Sequence, residues 1–404
     1  MTMINFPRIR HSVCLIVLAW AGGALADSAD TFNVYLGMGL LADSNLFRTD
    51  NSPERDTILT SSLNLSLNKP LAQQRFVIDV SLIDYRYDRN SYLDFTARNL
   101  NALWQWTFTP ALVGQLSHVR TENLNSFVDY TAVQPELRRN IRENENSRFD
   151  ADWHAGGGLH LLAAISRQKQ QNSEFFRQES SYELDGGDLG ARYIWRSGAS
   201  LQLVQRSGRG EYTGRKRVGF DVVPAPFNSQ YDTAFRQREL EMRLSVPLTG
   251  KSTLSARLAR QKRTHDYFYQ RDYAETIGRL EHTWQPSGRL SLTTAVRREV
   301  GVYQDFASSY YLSDGVSLQP AWQMTNRVSA RLAYDWQRRR YEGAIFPGLP
   351  QRREDLQSAR ASVDWLPDDR LAVNLAYQRD ERDANQRGRD FVSDQWSLNL
   401  RLNF

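Results

Sequence analysis

The chain has 404 residues, of which 24% are charged, and a formal net charge of +5. With a mean hydropathy of −0.58, this excludes a bundle of apolar transmembrane helices and leaves two soluble domains or one large barrel. Only Lys69, Lys169, Lys216, Lys251 and Lys262 are lysines and every other basic residue is arginine, a bias towards planar forks that meet carboxylates, sulfates or phosphates.

The N-terminus carries Arg8 and Arg10, an apolar run over 12–21, and the small-x-small pattern Ala24-Leu25-Ala26. In that order these features read as a secretory signal peptide over 1–26, leaving 27–404 as one domain. The single cysteine, Cys14, lies inside the signal, so the exported chain has no disulfide or thiolate metal site.

From residue 31 onward, segments of about ten residues alternate apolar and polar side chains between turn signals, the pattern of a membrane β-barrel. Strands are expected at 31–41, 57–67, a segment holding Phe76, Ile78, Val80 and Leu82, then 94–108, 112–124, 147–155, 159–170, 182–195 and 200–212. The rest fall at 234–246, 252–264, 273–285, 290–300, 309–323, 328–341, 356–366, 371–382 and 391–404. The fold class is therefore all-β, a transmembrane antiparallel up-and-down barrel of eighteen strands, with sixteen as the alternative because 182–195 and 309–323 are the least regular. Short connections such as Gly156-Gly157-Gly158 and Pro367-Asp368-Asp369 alternate with long polar ones at 42–56, 125–146, 210–231, 342–355 and 383–390. Short periplasmic turns and long extracellular loops put both chain ends in the periplasm. Loops 125–146 and 210–231 are long enough either to constrict the pore or to cover its mouth.

Strands that run into short turns end in aromatics: Phe108, Trp153, Trp195, Trp284, Trp322, Trp365 and Phe404. Outward by parity, they read as an interfacial girdle against outer-membrane lipid. A soluble propeller would space its tryptophans similarly, but would explain neither the loop asymmetry nor the last strand. There Trp396, Leu398, Leu400, Leu402 and Phe404 alternate with polar residues up to the terminal aromatic, a pattern that resembles the assembly signal read by the barrel-assembly machinery.

The opposite parity set is strongly charged. Arg206, Arg243, Arg257, Arg279, Arg297, Arg331, Arg360 and Arg401 are candidate pore-lining contacts for an anionic solute. Asp79, Asp150, Asp152, Glu239, Glu241, Glu275, Glu281, Glu299, Asp335, Asp364 and Asp380 share that face. The arginines therefore either stack into a positive ladder or pair with carboxylates to brace the wall. Histidines 118, 154, 160, 265 and 282 form no nucleophile or metal motif, with His154 expected to pair with Asp152. No phosphate loop or nucleophile elbow is present, so neither an enzyme nor a cofactor is expected, and nothing points to nucleic acid.

Asp43-Ser44-Asn45-Leu46-Phe47-Arg48 follows an apolar strand containing Gly37 and Gly39. This arrangement resembles the start of EpsL-like outer-membrane barrels of exosortase-associated exopolysaccharide systems. The arginine-rich lumen also looks like that of the alginate exporter. The resemblance implies export of an extracellular polysaccharide, supplied by a periplasmic or inner-membrane synthesis machine. The residues alone leave two other readings open: a general or anion-selective uptake porin, and a non-conducting structural or adhesion barrel.

Overall fold

In the computed structural model, residues 31–129, 139–174, 181–214, 232–304, 307–344 and 348–404 are described. Segment 1–26, expected to be a signal peptide, lies outside them, as do 130–138 of loop 125–146 and 215–231 of loop 210–231. The first nine strands are β1 Phe32–Asp43, β2 Asp56–Leu71, β3 Gln74–Tyr87, β4 Phe95–Thr109, β5 Leu112–Leu124, β6 Ile141–Gly156, β7 Leu159–Asn172, β8 Tyr182–Ile194 and β9 Ser200–Tyr212. They continue as β10 Ala234–Thr249, β11 Ser252–His265, β12 Tyr273–Ser287, β13 Leu290–Val302, β14 Tyr310–Gln323, β15 Val328–Glu342, β16 Arg353–Trp365, β17 Leu371–Ala384 and β18 Phe391–Asn403.

Each strand pairs antiparallel with its chain neighbours, and β1 pairs with β18, so the sheet closes as an eighteen-stranded up-and-down barrel. Closure leaves no sheet edge, the condition for strands to cross lipid. The seam runs from Tyr35 opposite Asn403 to Asp43 opposite Gln395, and the Phe404 N–H donates to the Val34 carbonyl at 2.9 Å. The closing strand is thus the one expected, with its terminal residue tied across the seam.

Several boundaries differ from the alternation, most clearly those of β6 and β2. β6 begins at Ile141 rather than 147 because the polar run Arg142-Glu143-Asn144-Glu145-Asn146 pairs fully with Glu122–Arg120 and beyond on β5, above the apolar band. β2 similarly runs to Leu71, so the turn to β3 is only two residues. A polar stretch can continue a ladder wherever both faces are wet, and periodicity in hydrophobicity then gives no sign of it.

Leu240, Leu258, Leu280, Val296, Leu318, Leu332 and Val363 form part of an exposed apolar exterior. Phe108, Trp153, Trp195, Trp284, Trp322 and Trp365 are exposed beside the short turns. An apolar band with an aromatic girdle is the surface of an outer-membrane barrel. Trp396, Leu398, Leu400 and Leu402 stand on the same exterior face.

Candidate functional site: the lumen and its outer mouth

Side chains on a strand alternate between faces, so the register assigns each charged residue to the lumen or the exterior. Arg243, Arg257, Arg279 and Arg297 are direct cross-strand neighbours on β10 to β13. Four arginines therefore lie in one unbroken row on the inner wall.

Each member of that row has a carboxylate. Arg243 Nε meets Glu241 at 2.6 Å, Arg257 Nη2 meets Glu239 at 2.8 Å, Arg279 meets Glu281 at 2.6 Å, and Arg297 holds Asp335 with two bonds of 2.7 Å. Beside the row, Arg206 reaches Asp188 at 3.2 Å, Glu239 at 2.8 Å and Glu241 at 2.9 Å. Glu241, 0% exposed, is shared by Arg206, Arg243 and Arg257. Arg148 bridges Asp150 and Asp188, carrying the network to β6. Buried carboxylates are well matched by guanidinium forks, and Glu241 meets three of them. This matches the bracing alternative: the row is neutralised where it stands.

Of the other candidate arginines, Arg331 pairs with Asp364 at 3.0 Å. Arg360 bonds only the Gln378 amide, at 3.2 Å, and Arg401 lies over the Tyr35 ring at 5.5 Å. Neither has a carboxylate partner among the described residues. Asp152 takes a different histidine from the one expected: His160 Nδ1 lies 2.7 Å from it, while His154 stacks on His160 at 4.8 Å. The two rings oppose each other across β6 and β7, and that pairing needs the register to be seen. Among the described residues no group of histidines and carboxylates could hold a metal ion.

A cavity of about 1020 Å³ opens against this network, lined by Arg148, Asp188, Arg206, Glu239, Arg243 and Arg257 among others. At eighteen strands, side chains do not fill the middle of a barrel, and a charged wall keeps that space wet.

The outer end is different. Leu46, Phe47, Ile58, Tyr87, Leu93 and Phe127 form a buried apolar cluster at the long-loop ends of β1 to β5, with Phe47 edge-on to Phe127 at 4.9 Å. The 43–48 motif builds it. The Asp43 carboxylate accepts from the Asn45 N–H at 2.9 Å, from Arg48 and from Ser393 of β18 at 2.7 Å. Asn45 donates to the Thr49 and Val392 carbonyls. These bonds hold Leu46 and Phe47 over the lumen. The described start of loop 125–146 also leans inward, because Arg382 of β17 donates to the Val128 carbonyl past β18 and β1 to β4. On the opposite wall Arg352 stacks on Tyr341 at 3.9 Å and Tyr303 at 5.0 Å, Glu354 accepts from Tyr341 and Arg352, and Gln304 donates to Tyr212 at 2.9 Å. Side chains from the ends of β1 to β5, β9, β13 and β15 to β17 thus form a layer at this end of the barrel. Nothing in the alternation marks this layer, whose partners lie up to 350 residues apart.

A family described as "Putative beta-barrel porin 2" matches residues 277–404. No curated protein matches the chain. Among solved structures, Pseudomonas aeruginosa OccK9 (OpdG) aligns with a TM-score of 0.52 at 12% identity, over 92% of this chain and 98% of that one. P. aeruginosa OpdQ aligns at 0.51 with 8% identity over 93% and 100%. P. aeruginosa OpdK, solved with vanillate, aligns at 0.50 with 12% identity over 92% and 99%. The fold is that of an outer-membrane porin. At these identities the likeness extends to the barrel and not to what passes through it.

Proposed function

We propose that this barrel is a passive outer-membrane porin for small hydrophilic solutes, with weak charge selectivity. The observation that carries the reading is the neutralised arginine row. Arg243, Arg257, Arg279 and Arg297 face water, yet Glu241, Glu239, Glu281 and Asp335 cancel their charge within one side-chain length. Anion selectivity requires a ring of uncompensated positive charge. Interleaved opposite charges instead form a polar wall that strips no solute of its water and favours neither ion.

The Leu46–Phe47 cluster and the Arg382–Val128 tether at the mouth favour small solutes over a polymer. Polysaccharide export, fed by a periplasmic or inner-membrane synthesis machine, rests on the resemblance carried by the 43–48 loop and by the arginine-rich lumen. The residues of that loop have a structural task of their own, since Asp43, Asn45 and Arg48 hold the Leu46–Phe47 cap in place. The test is solute flux into proteoliposomes. The reading expects entry of monosaccharides, amino acids and small anions at rates ordered by size. Exclusion of all of these, with passage of an extended oligosaccharide, would favour export.

A further inference from the structure

The lumen wall has two chemistries. From β6 to β13 its inner face carries the ion-paired network, whereas from β17 through β18 to β4 it carries mostly amides and hydroxyls. Asn374, Asn399 and Gly39 are direct cross-strand neighbours, and Tyr35, Asn64, Ser81 and Asn99 form a second row. A cavity of about 370 Å³ opens on this wall, another of about 540 Å³ opens at its β14–β18 edge, where Arg331 and Asp364 also line it, and the two share Arg401. Both are within the ~300–1,000 Å³ of small-molecule sites.

The amides here are oriented rather than free to turn. Asn64 Nδ2 donates to Ser62 at 3.2 Å, Asn101 Nδ2 to Asp79 at 3.3 Å, and Asn399 Nδ2 to Asn374 Oδ1 at 3.4 Å. Asn374 Nδ2 is held in turn by Asp364 at 2.9 Å. With the nitrogens engaged, the carbonyl oxygens of Asn64, Asn101 and Asn399 are left to accept, since no donor among the described residues reaches them. Such oxygens repel an anion, and Arg401 beside them repels a cation. A hydroxyl group suits both, donating to an amide oxygen and accepting from a guanidinium.

We propose that the β17–β18–β1–β4 wall is a binding track for an uncharged polyhydroxylated solute of monosaccharide size, with Asn64, Asn101 and Asn399 accepting from its hydroxyls and Arg401 donating to them. This rests on the pore reading and adds a preferred passenger to it. The track would guide the solute along one side of the lumen while ions use the charged side.

The test uses the full-length protein in planar bilayers and proteoliposomes, with glucose as probe and acetate as the charged comparison. Glucose should produce saturable current noise in the unaltered pore, and acetate should not. In Asn64→Leu/Asn399→Leu the ratio of glucose to acetate flux should fall about three-fold or more, because each substitution removes a hydrogen-bonding partner. Potassium chloride current in the unaltered protein tests the pore reading separately. A conducting pore without saturable glucose noise overturns the track. So does a folded double variant, shown by heat-modifiable gel mobility, in which both fluxes change by the same factor.

Discussion

Glu241 on β10 and Arg206 on β9 meet at 2.9 Å, and the carboxylate has no exposed surface. Because Arg243 and Arg257 share that carboxylate, one acidic side chain is the common counter-charge of three guanidiniums. Glu241→Gln should shift zero-current potentials toward anions, raising the chloride-to-potassium permeability ratio roughly two-fold through the uncompensated field. Glu241→Ala should also destabilise the barrel. Removing one partner of a wholly buried pair costs about 3–5 kcal/mol, and the half-solvated arginines place this case near the lower end. Unchanged selectivity in Glu241→Gln would mean that the network does not control the field.

Arg382 holds the start of the β5–β6 loop from the far side of the mouth through the Val128 carbonyl, and Phe127 anchors the same loop against Phe47. Arg382→Gln and Phe127→Ala should each raise single-channel conductance and admit larger polyethylene glycols. If both leave conductance and the polymer cut-off unchanged, this layer does not set the narrowest section.

Leu332 stands on the exposed exterior of β15, while Ser362 on β16 pairs with the inward Arg331. Leu332→Arg should cost ~2–4 kcal/mol in urea unfolding from lipid, as a charge near the middle of the apolar band does. Ser362→Arg should cost well under half of that, because the lumen hydrates it. Equal costs would contradict the assignment of faces.

Deleting Phe404 removes the N–H that donates to Val34 and the terminal aromatic of the last strand. The expected outcome is a lower outer-membrane level, read as less heat-modifiable protein, with unchanged conductance per inserted channel. A normal level would show that β18 is recognised without its last residue.

The barrel was legible because its cues are periodic. Turn signals separated the strands, and parity put Arg243 and Arg297 on the face opposite to Trp284 and Trp322. Which arginine meets which carboxylate was not legible. That depends on register, which brings Arg206 to Glu239 across a sequence gap of 33 residues. The mouth was less legible still. Phe47, Phe127 and Arg382 come from three separate connections or strand ends, and their contacts follow from loops closing over a lumen whose dimensions no local pattern encodes. The amide wall was hidden for another reason: Asn64, Asn374 and Asn399 read as unremarkable polar positions until the cross-strand rows place them side by side.

The most direct measurement is the conductance and ion selectivity of the purified, unaltered protein in planar bilayers under a potassium chloride gradient. Discrete ohmic steps with a permeability ratio close to one are the predicted result, since each arginine of the lumenal row is paired. No current would contradict a pore, and strong anion selectivity would contradict a neutralised one.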